Sequence, residues 1–403
     1  MLGSFAYIIR RHAMRKVMLA LWLELYALFL AVLQIFNGVR TDEAKYLLNI
    51  PYPHPPLARA ILSSIDGWSY QEFFWRIVFA TLLVQSVWLL LRLVHDLRPA
   101  ARIVVAMCWL LGCAMVYQAG TIMMAPLTAL EGLVFLYLLL RDDERHDNAG
   151  WIALFWILSL FTAYQAVLFA PAVWVLLRRS KSSAPLQMLL FFIPLALLAL
   201  YTFSNPLALA SMTLQAHKNA DDTVVMRILD SLRVWALGGS VVLSIVGTYG
   251  ILRSRSFGLI GSFVLVALYV LLARYDYYAI LFTPLFLAGV IVVLRRRFLP
   301  MLPIGVFTVI ATIVQLALYP PVSPPSTASF VMQELSVAHA SGALLINGSF
   351  GHEWEYAGTL EVKRYEPQLL QTAGAVVCLA VCPPVFDQYW TQVGSMPDVF
   401  VRK

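Results

Sequence analysis

Two carboxylates, Asp42 and Glu43, stand side by side just past the first long apolar stretch of the chain. The segment reads Thr41-Asp42-Glu43-Ala44-Lys45-Tyr46, and Pro53-His54-Pro55-Pro56-Leu57-Ala58-Arg59 follows closely. A carboxylate at a membrane surface can take the proton of an incoming hydroxyl. Cations nearby can stabilise a departing phosphate. Proline fixes its own φ and pushes the preceding residue toward extended backbone. His54 is therefore held on a stiff turn, and Arg59 falls in what reads as a short amphipathic helix. Together these residue types suit transfer of a group from a lipid phosphate to a hydroxyl. Asp42 and Glu43 are equally good residues for the first turn of a helix, where carboxylates meet unpaired amides and the positive end of the dipole. On these residues alone the two readings stand level.

The elements that must position them are membrane helices. The chain of 403 residues is 61% hydrophobic and 13% charged, with mean hydropathy +0.77. A soluble domain is nearer half apolar and a quarter charged. The composition excludes a cytosolic globular enzyme, a disordered chain and a coiled coil, and points to a polytopic membrane protein. The net charge of +7 reads as a topology signal. No dense basic tract with interleaved aromatics appears in the sequence, so nucleic acid is not an expected partner. Apolar runs predict spans at 17–36, 72–95, 102–118, 122–140, 185–203, 231–252, 257–273, 277–294 and 299–318. The stretch 151–177 is too long for one crossing and carries Thr162, Ala163, Tyr164 and Gln165 at its middle, so it reads as two short helices joined by a tight turn.

Basic clusters decide that case. They fall at Arg10 to Lys16, at Arg98 and Arg102, at Arg178 to Lys181, at Arg253 and Arg255, and at Arg295 to Arg297. All land on one side only if 151–177 crosses twice. The expectation is an all-α membrane protein of about 11 spans in the inner (cytoplasmic) membrane, with a cytoplasmic N-terminus. Residues 1–318 would form the membrane module, with 37–71 as its first outer loop. Residues 319–403 would form a small α/β domain outside: an amphipathic helix near 329–341, a strand at 343–346 and an apolar run at 375–381.

The order of first span, then Asp42-Glu43-Ala44-Lys45-Tyr46, then His54-Pro55-Pro56-Leu57, resembles the membrane glycosyltransferases of the GT-C class. It is most similar to the superfamily of protein O-mannosyltransferases and aminoarabinose transferases. The resemblance implies a polyprenyl-phosphate-linked sugar as donor, an inverting single displacement, and a lipid, glycan or protein hydroxyl as acceptor. It matches Asp42 to the acidic residue taken as the base and Glu43 to its partner. Tyr46, His54 and Arg59 fall where the family binds the lipid phosphate or acceptor. Arg274-Tyr275 resembles the Arg-Tyr pair found before a late helix, and Arg227 offers a basic residue from the second outer loop. The chain departs from the family at the start of the fourth span, where 122–127 carries no acid, and at 162–165, where relatives have a lysine.

Other polar residues carry alternatives. Glu131 in the fourth span and Glu24 in the first fit either a site or a helix–helix contact. Arg76 reads as a snorkelling interfacial residue. His217, Lys218, Asp221, Asp222 and Arg233 read as the solvated face of an interfacial helix, and 348–355 as a turn between strands. Cys378 and Cys382 have the option of a disulfide in an oxidising compartment, whereas Cys108 and Cys113 read as packing residues. No metal is expected to be obligatory, although an Asp–Glu pair has the oxygens to hold Mg2+ or Mn2+. A transporter or flippase of lipid-linked sugars is the rival class, and a catalytically inactive scaffold a third.

Overall fold

The computed structural model describes residues 2–50, 54–141, 148–208, 210, 223–273, 275–296, 301–320, 327–348, 351–358, 360–379, 389–395 and 397–402. In chain order the first helices are α1 (Leu2–Phe36), α2 (Thr41–Leu47), α3 (Pro56–Leu62), α4 (Gln71–Gln85) and α5 (Val87–Leu93). There follow α6 (Pro99–Leu110), α7 (Cys113–Gln118), α8 (Met124–Leu140), α9 (Ala149–Thr162), α10 (Ala170–Arg178) and α11 (Ala184–Ser204). The last apolar helices are α12 (Val224–Leu237), α13 (Val241–Ser254), α14 (Phe257–Ala273), α15 (Phe282–Arg295) and α16 (Met301–Leu318). The tail adds α17 (Thr327–Val337), β1 (Ala343–Asn347), α18 (Glu353–Ala357), β2 (Val362–Arg364), β3 (Ala373–Cys378), β4 (Trp390–Ser395) and β5 (Asp398–Arg402). The chain divides into two compact units. One holds Met1–Val32, Tyr52–Ile61 and Phe73–Pro321; the other holds Leu33–Pro51, Leu62–Glu72 and Val322–Lys403.

The helical, membrane-type character of the sequence is present, but the span count needs correction. Four stretches are long and apolar enough to cross a membrane: Lys16–Phe36, Gln71–Leu93, Ala184–Ser204 and Asp276–Arg295. Val224–Leu237 and Val241–Ser254 make a fifth only if taken together, and they meet at 94°. The other apolar helices have 10–17 residues, short of the roughly 20 that cross a bilayer core. By length, the described residues thus contain four or five spans rather than eleven. Hydropathy windows run through backbone breaks. The run 231–252 is interrupted by Gly238 and Gly239, after which the Ser240 hydroxyl accepts the Leu243 amide at 3.3 Å and starts a new helix.

In the first unit, α15 is the central helix, with every residue from Phe282 to Leu294 buried. It packs on α13, α8 and α6. One end of this unit is tied by arginines bonded to helix C-terminal carbonyls, where the backbone dipole is negative. Arg295 donates to Leu140 O at 2.8 Å and to Leu93 O at 2.9 Å. Arg179 donates to Leu139 O at 2.7 Å, and Arg296 to Arg253 O at 3.2 Å. The ends of α5, α8, α10, α13 and α15 therefore share one end of the bundle. Since α8 and α10 both finish there, α9 and α10 run out and back. The break comes at Ala163, followed by a 3-10 turn at Tyr164–Phe169. Arg76 is fully buried and donates to Gly120 O at 3.2 Å, so it does not snorkel. Glu24 accepts bonds of 2.8 Å from both Thr81 and Gln85, a contact between α1 and α4.

In the second unit a five-stranded sheet has the order β2-β1-β3-β5-β4. β1 pairs parallel with β2 and β3, whereas β5 pairs antiparallel with β3 and β4. One sheet face packs on Ala328, Val331, Met332 and Leu335 of α17. The alternation in β1 and β3 sends Leu345 and Val376 to the other face, beside Leu369 and Phe400. The expected helix, strand and apolar run of the tail are thus α17, β1 and β3. Cys378 is disulfide-bonded, while Cys382 lies outside the described residues. Cys108 and Cys113 are free and buried.

Candidate functional site

The acidic pair belongs to the second unit. Gly38 turns the chain with φ 69°, and α2 begins at Thr41 with Asp42 and Glu43 in its first turn. The two carboxylates do different things. Glu43 is 1% exposed, and its Oε2 accepts the Arg40 amide at 3.0 Å, closing the helix start. Asp42 is partly open, its side chain 29% exposed, with Oδ1 2.9 Å from Lys45 Nζ. Tyr46 is buried on the same helix. The helix reading and the chemical reading therefore divide between neighbours: Glu43 serves the cap, and Asp42 presents charge to solvent.

The sequence missed what supports α2. Residues 348–355, expected as a turn, include the start of α18, which packs against α2. Glu353 accepts the Thr41 hydroxyl and the Gly351 amide. Tyr356 donates to Glu72 at 3.2 Å, and Gln71 Nε2 donates to Leu47 O at 2.8 Å. The pattern His352-Glu353-Trp354-Glu355 carried a signal, since Trp354 is an apolar anchor and Glu353 a first-turn acid. Glu353→Ala is expected to lower amide-exchange protection of 343–347 and 373–378 in the intact protein by about fivefold, since one partly buried acceptor contributes about 1 kcal/mol. Unchanged protection would mean the Thr41 contact is idle.

His54, Arg59, Arg227 and Tyr275 belong to the first unit. Tyr201, near the C-terminal end of α11, donates to His54 O at 3.2 Å. The Tyr164 ring lies 5.9 Å from the His54 ring. The start of α11 is at the arginine end, where Arg178 donates to Gln187 at 3.4 Å. His54 is thus at the opposite end of the bundle. The next residue after Tyr164, Gln165, donates to Tyr269 OH at 3.0 Å and Tyr278 OH at 3.4 Å. Tyr278 packs at 4.4 Å on Tyr277, which stacks at 5.1 Å on Tyr275. Gln118 reaches Asp276 O at 3.2 Å, and Arg233 pairs with Asp276 at 3.0 Å. His54 and Tyr275 therefore share a polar, tyrosine-rich layer, joined by Tyr164 and Gln165 at the break between α9 and α10.

Compared with known proteins, the chain matches no family model and no curated relative. Arg227 is half-buried on α12 and Arg59 half-buried on α3. Arg274, with His217, Lys218, Asp221 and Asp222 of the second outer loop, lies outside the described residues. Among the described residues no three His, Cys, Asp or Glu side chains gather as a metal-binding group. Tyr164, Tyr201, Gln165, Tyr269 and Tyr278 were not singled out from the sequence as site residues. The polar break at 162–165 was the visible signal, but its partners are distant in the chain.

Proposed function

We propose that the protein is a membrane glycosyltransferase of the GT-C class. It moves a sugar from a polyprenyl-phosphate donor to a hydroxyl of a lipid, glycan or protein outside the cytoplasmic membrane. The observation that carries this reading is that His54 of the proline-flanked turn lies at the bundle end opposite the arginines. The positive-inside rule makes the arginine end cytoplasmic. The tyrosine-rich layer then faces the exterior, where a sugar's apolar ring face can stack on Tyr164 or Tyr275. A disulfide at Cys378 suits a tail in an oxidising compartment.

In this mechanism the acceptor hydroxyl oxygen attacks the anomeric carbon as the bond to the phosphate oxygen breaks, inverting the centre. Asp42 takes the hydroxyl proton. Glu43 fixes the turn that carries Asp42. The lipid phosphate leaves with its electron pair, stabilised by His54, Arg59, Arg227 and Arg274. In this reading the C-terminal unit ends outside.

Mass spectrometry of envelope glycans and lipids, with and without the gene, tests the proposal. One sugar is expected to disappear from an envelope acceptor while its polyprenyl-phosphate form accumulates. An unchanged profile overturns it. The 94° break and Glu131 favour a second reading, a transporter or flippase. That reading differs in one outcome: the purified protein in detergent would transfer no sugar from a polyprenyl-phosphate donor.

A further inference from the structure

Behind the tyrosine layer, helices that pack on one another carry buried oxygen atoms without protein partners among the described residues. Glu131 is in the middle of α8, and its carboxylate lies beside the Thr162 hydroxyl near the end of α9. The Oε2 atom of Glu131 is fully buried with no partner among the described residues. Thr128 is one helical turn before Glu131, on the same face. It is 0% exposed, and its hydroxyl has no partner. Ser159 stands one turn before Thr162 on α9 with the same properties. Gln165 spends its amide N–H groups on Tyr269 and Tyr278, and its buried Oε1 has no partner. α8 packs against both α9 and the 3-10 turn that carries Gln165.

These hydroxyls depart from their neighbours. Thr162 and Thr202 each send the hydroxyl to the carbonyl one turn back, at 2.9 and 2.8 Å. That is the usual resolution for such a residue in a helix. Thr128 and Ser159 do not take it, although they are more deeply buried than Thr162. Buried polar atoms without partners are uncommon and call for an explanation.

The atoms have one chemistry. They are a carboxylate oxygen, an amide carbonyl oxygen and hydroxyl oxygens, with no nitrogen or sulfur among them. Oxygen-only sets suit hard cations rather than transition metals. With Glu131 ionised, the set carries a single negative charge. A monovalent cation neutralises it, whereas a divalent ion would leave a net positive charge in an apolar interior, where unbalanced charge is costly. We propose that Glu131, Thr128, Thr162 and Gln165 form a sodium-ion site that ties α8 to α9 and its 3-10 extension, with Ser159 one turn deeper. The ion holds together the break on which Tyr164 and Gln165 are mounted.

The test is thermal unfolding of the purified full-length protein in detergent, in NaCl against choline chloride at equal ionic strength and pH. Sodium is expected to raise Tm by about 3 °C, saturably, because a ligand that binds only the folded state stabilises it by mass action. The increment is expected to vanish in Glu131→Gln and to shrink in Thr128→Val. If Glu131→Gln does not fold, loss of the increment in Gln165→Leu serves in its place. Equal Tm in the two salts, the result of a proton on Glu131 in place of the ion, overturns the site. So does a sodium increment that survives in these variants. No sugar transfer enters the measurement, so its failure leaves the glycosyltransferase reading standing.

Discussion

Asp42→Asn is expected to lower sugar transfer about 10²- to 10⁴-fold, the range a positioned proton acceptor supplies. Asparagine keeps the shape of the side chain and an oxygen for Lys45, but it has no charge and will not hold the acceptor's proton. Folding should survive. The Asp42–Lys45 pair is a partly exposed i,i+3 contact, and such pairs contribute only about 0.2–0.5 kcal/mol. The check is the transfer rate from a polyprenyl-phosphate sugar with purified protein, beside its Tm. A rate within threefold of wild type at unchanged Tm would remove Asp42 from the chemistry. Glu43→Gln is the informative neighbour. Its carboxylate is buried against the Arg40 amide, so the larger change there should be in stability, about 1 kcal/mol, with a smaller effect on rate.

That division between neighbours was only half visible in the sequence. Two adjacent acids after an apolar run predict both a helix start and a base, but which carboxylate caps depends on the phase of α2, set by Gly38 upstream. The tail was more legible, because strand alternation in Ala343–Asn347 and Ala373–Cys378 is a local pattern. The break at Ala163 was legible for the same reason, as polar residues interrupt an apolar run. The 94° turn at Gly238–Gly239 was written in the sequence too, but hydropathy averages over it. Long-range partners were not legible. Nothing local to Arg76 announces that Gly120 will offer a carbonyl, and nothing near His54 names Tyr201. Sequence spacing reports which face a residue takes on its own helix and is silent on the helix opposite.

The same silence covers the closest packing in the membrane unit, where the largest loss of stability is expected. A Cβ on Gly289 of α15 would lie 1.9 Å from the Gly247 carbonyl oxygen of α13. A Cβ on Gly250 would lie 2.0 Å from the Gly289 carbonyl oxygen. The obstacle in each case is backbone, so no rotamer change relieves it. Membrane helices associate through van der Waals contact more than through water exclusion, so small residues at the crossing supply most of the gain. Gly289→Ala forces the two helices apart, and α15 is buried along its length, so α6 and α8 lose packing with it. Over-packing of this kind costs about 3 kcal/mol, a fall in Tm of about 6 °C or more, with loss of a monodisperse peak in size-exclusion chromatography. Gly150→Ala in α9 is the control, since no atom of the described residues lies within 4 Å of its added Cβ. There alanine should be neutral or gain up to about 1 kcal/mol from helix propensity. Equal Tm values for the two variants would mean that α13 and α15 do not approach through these glycines, whereas opposite shifts from the same substitution isolate helix contact from propensity.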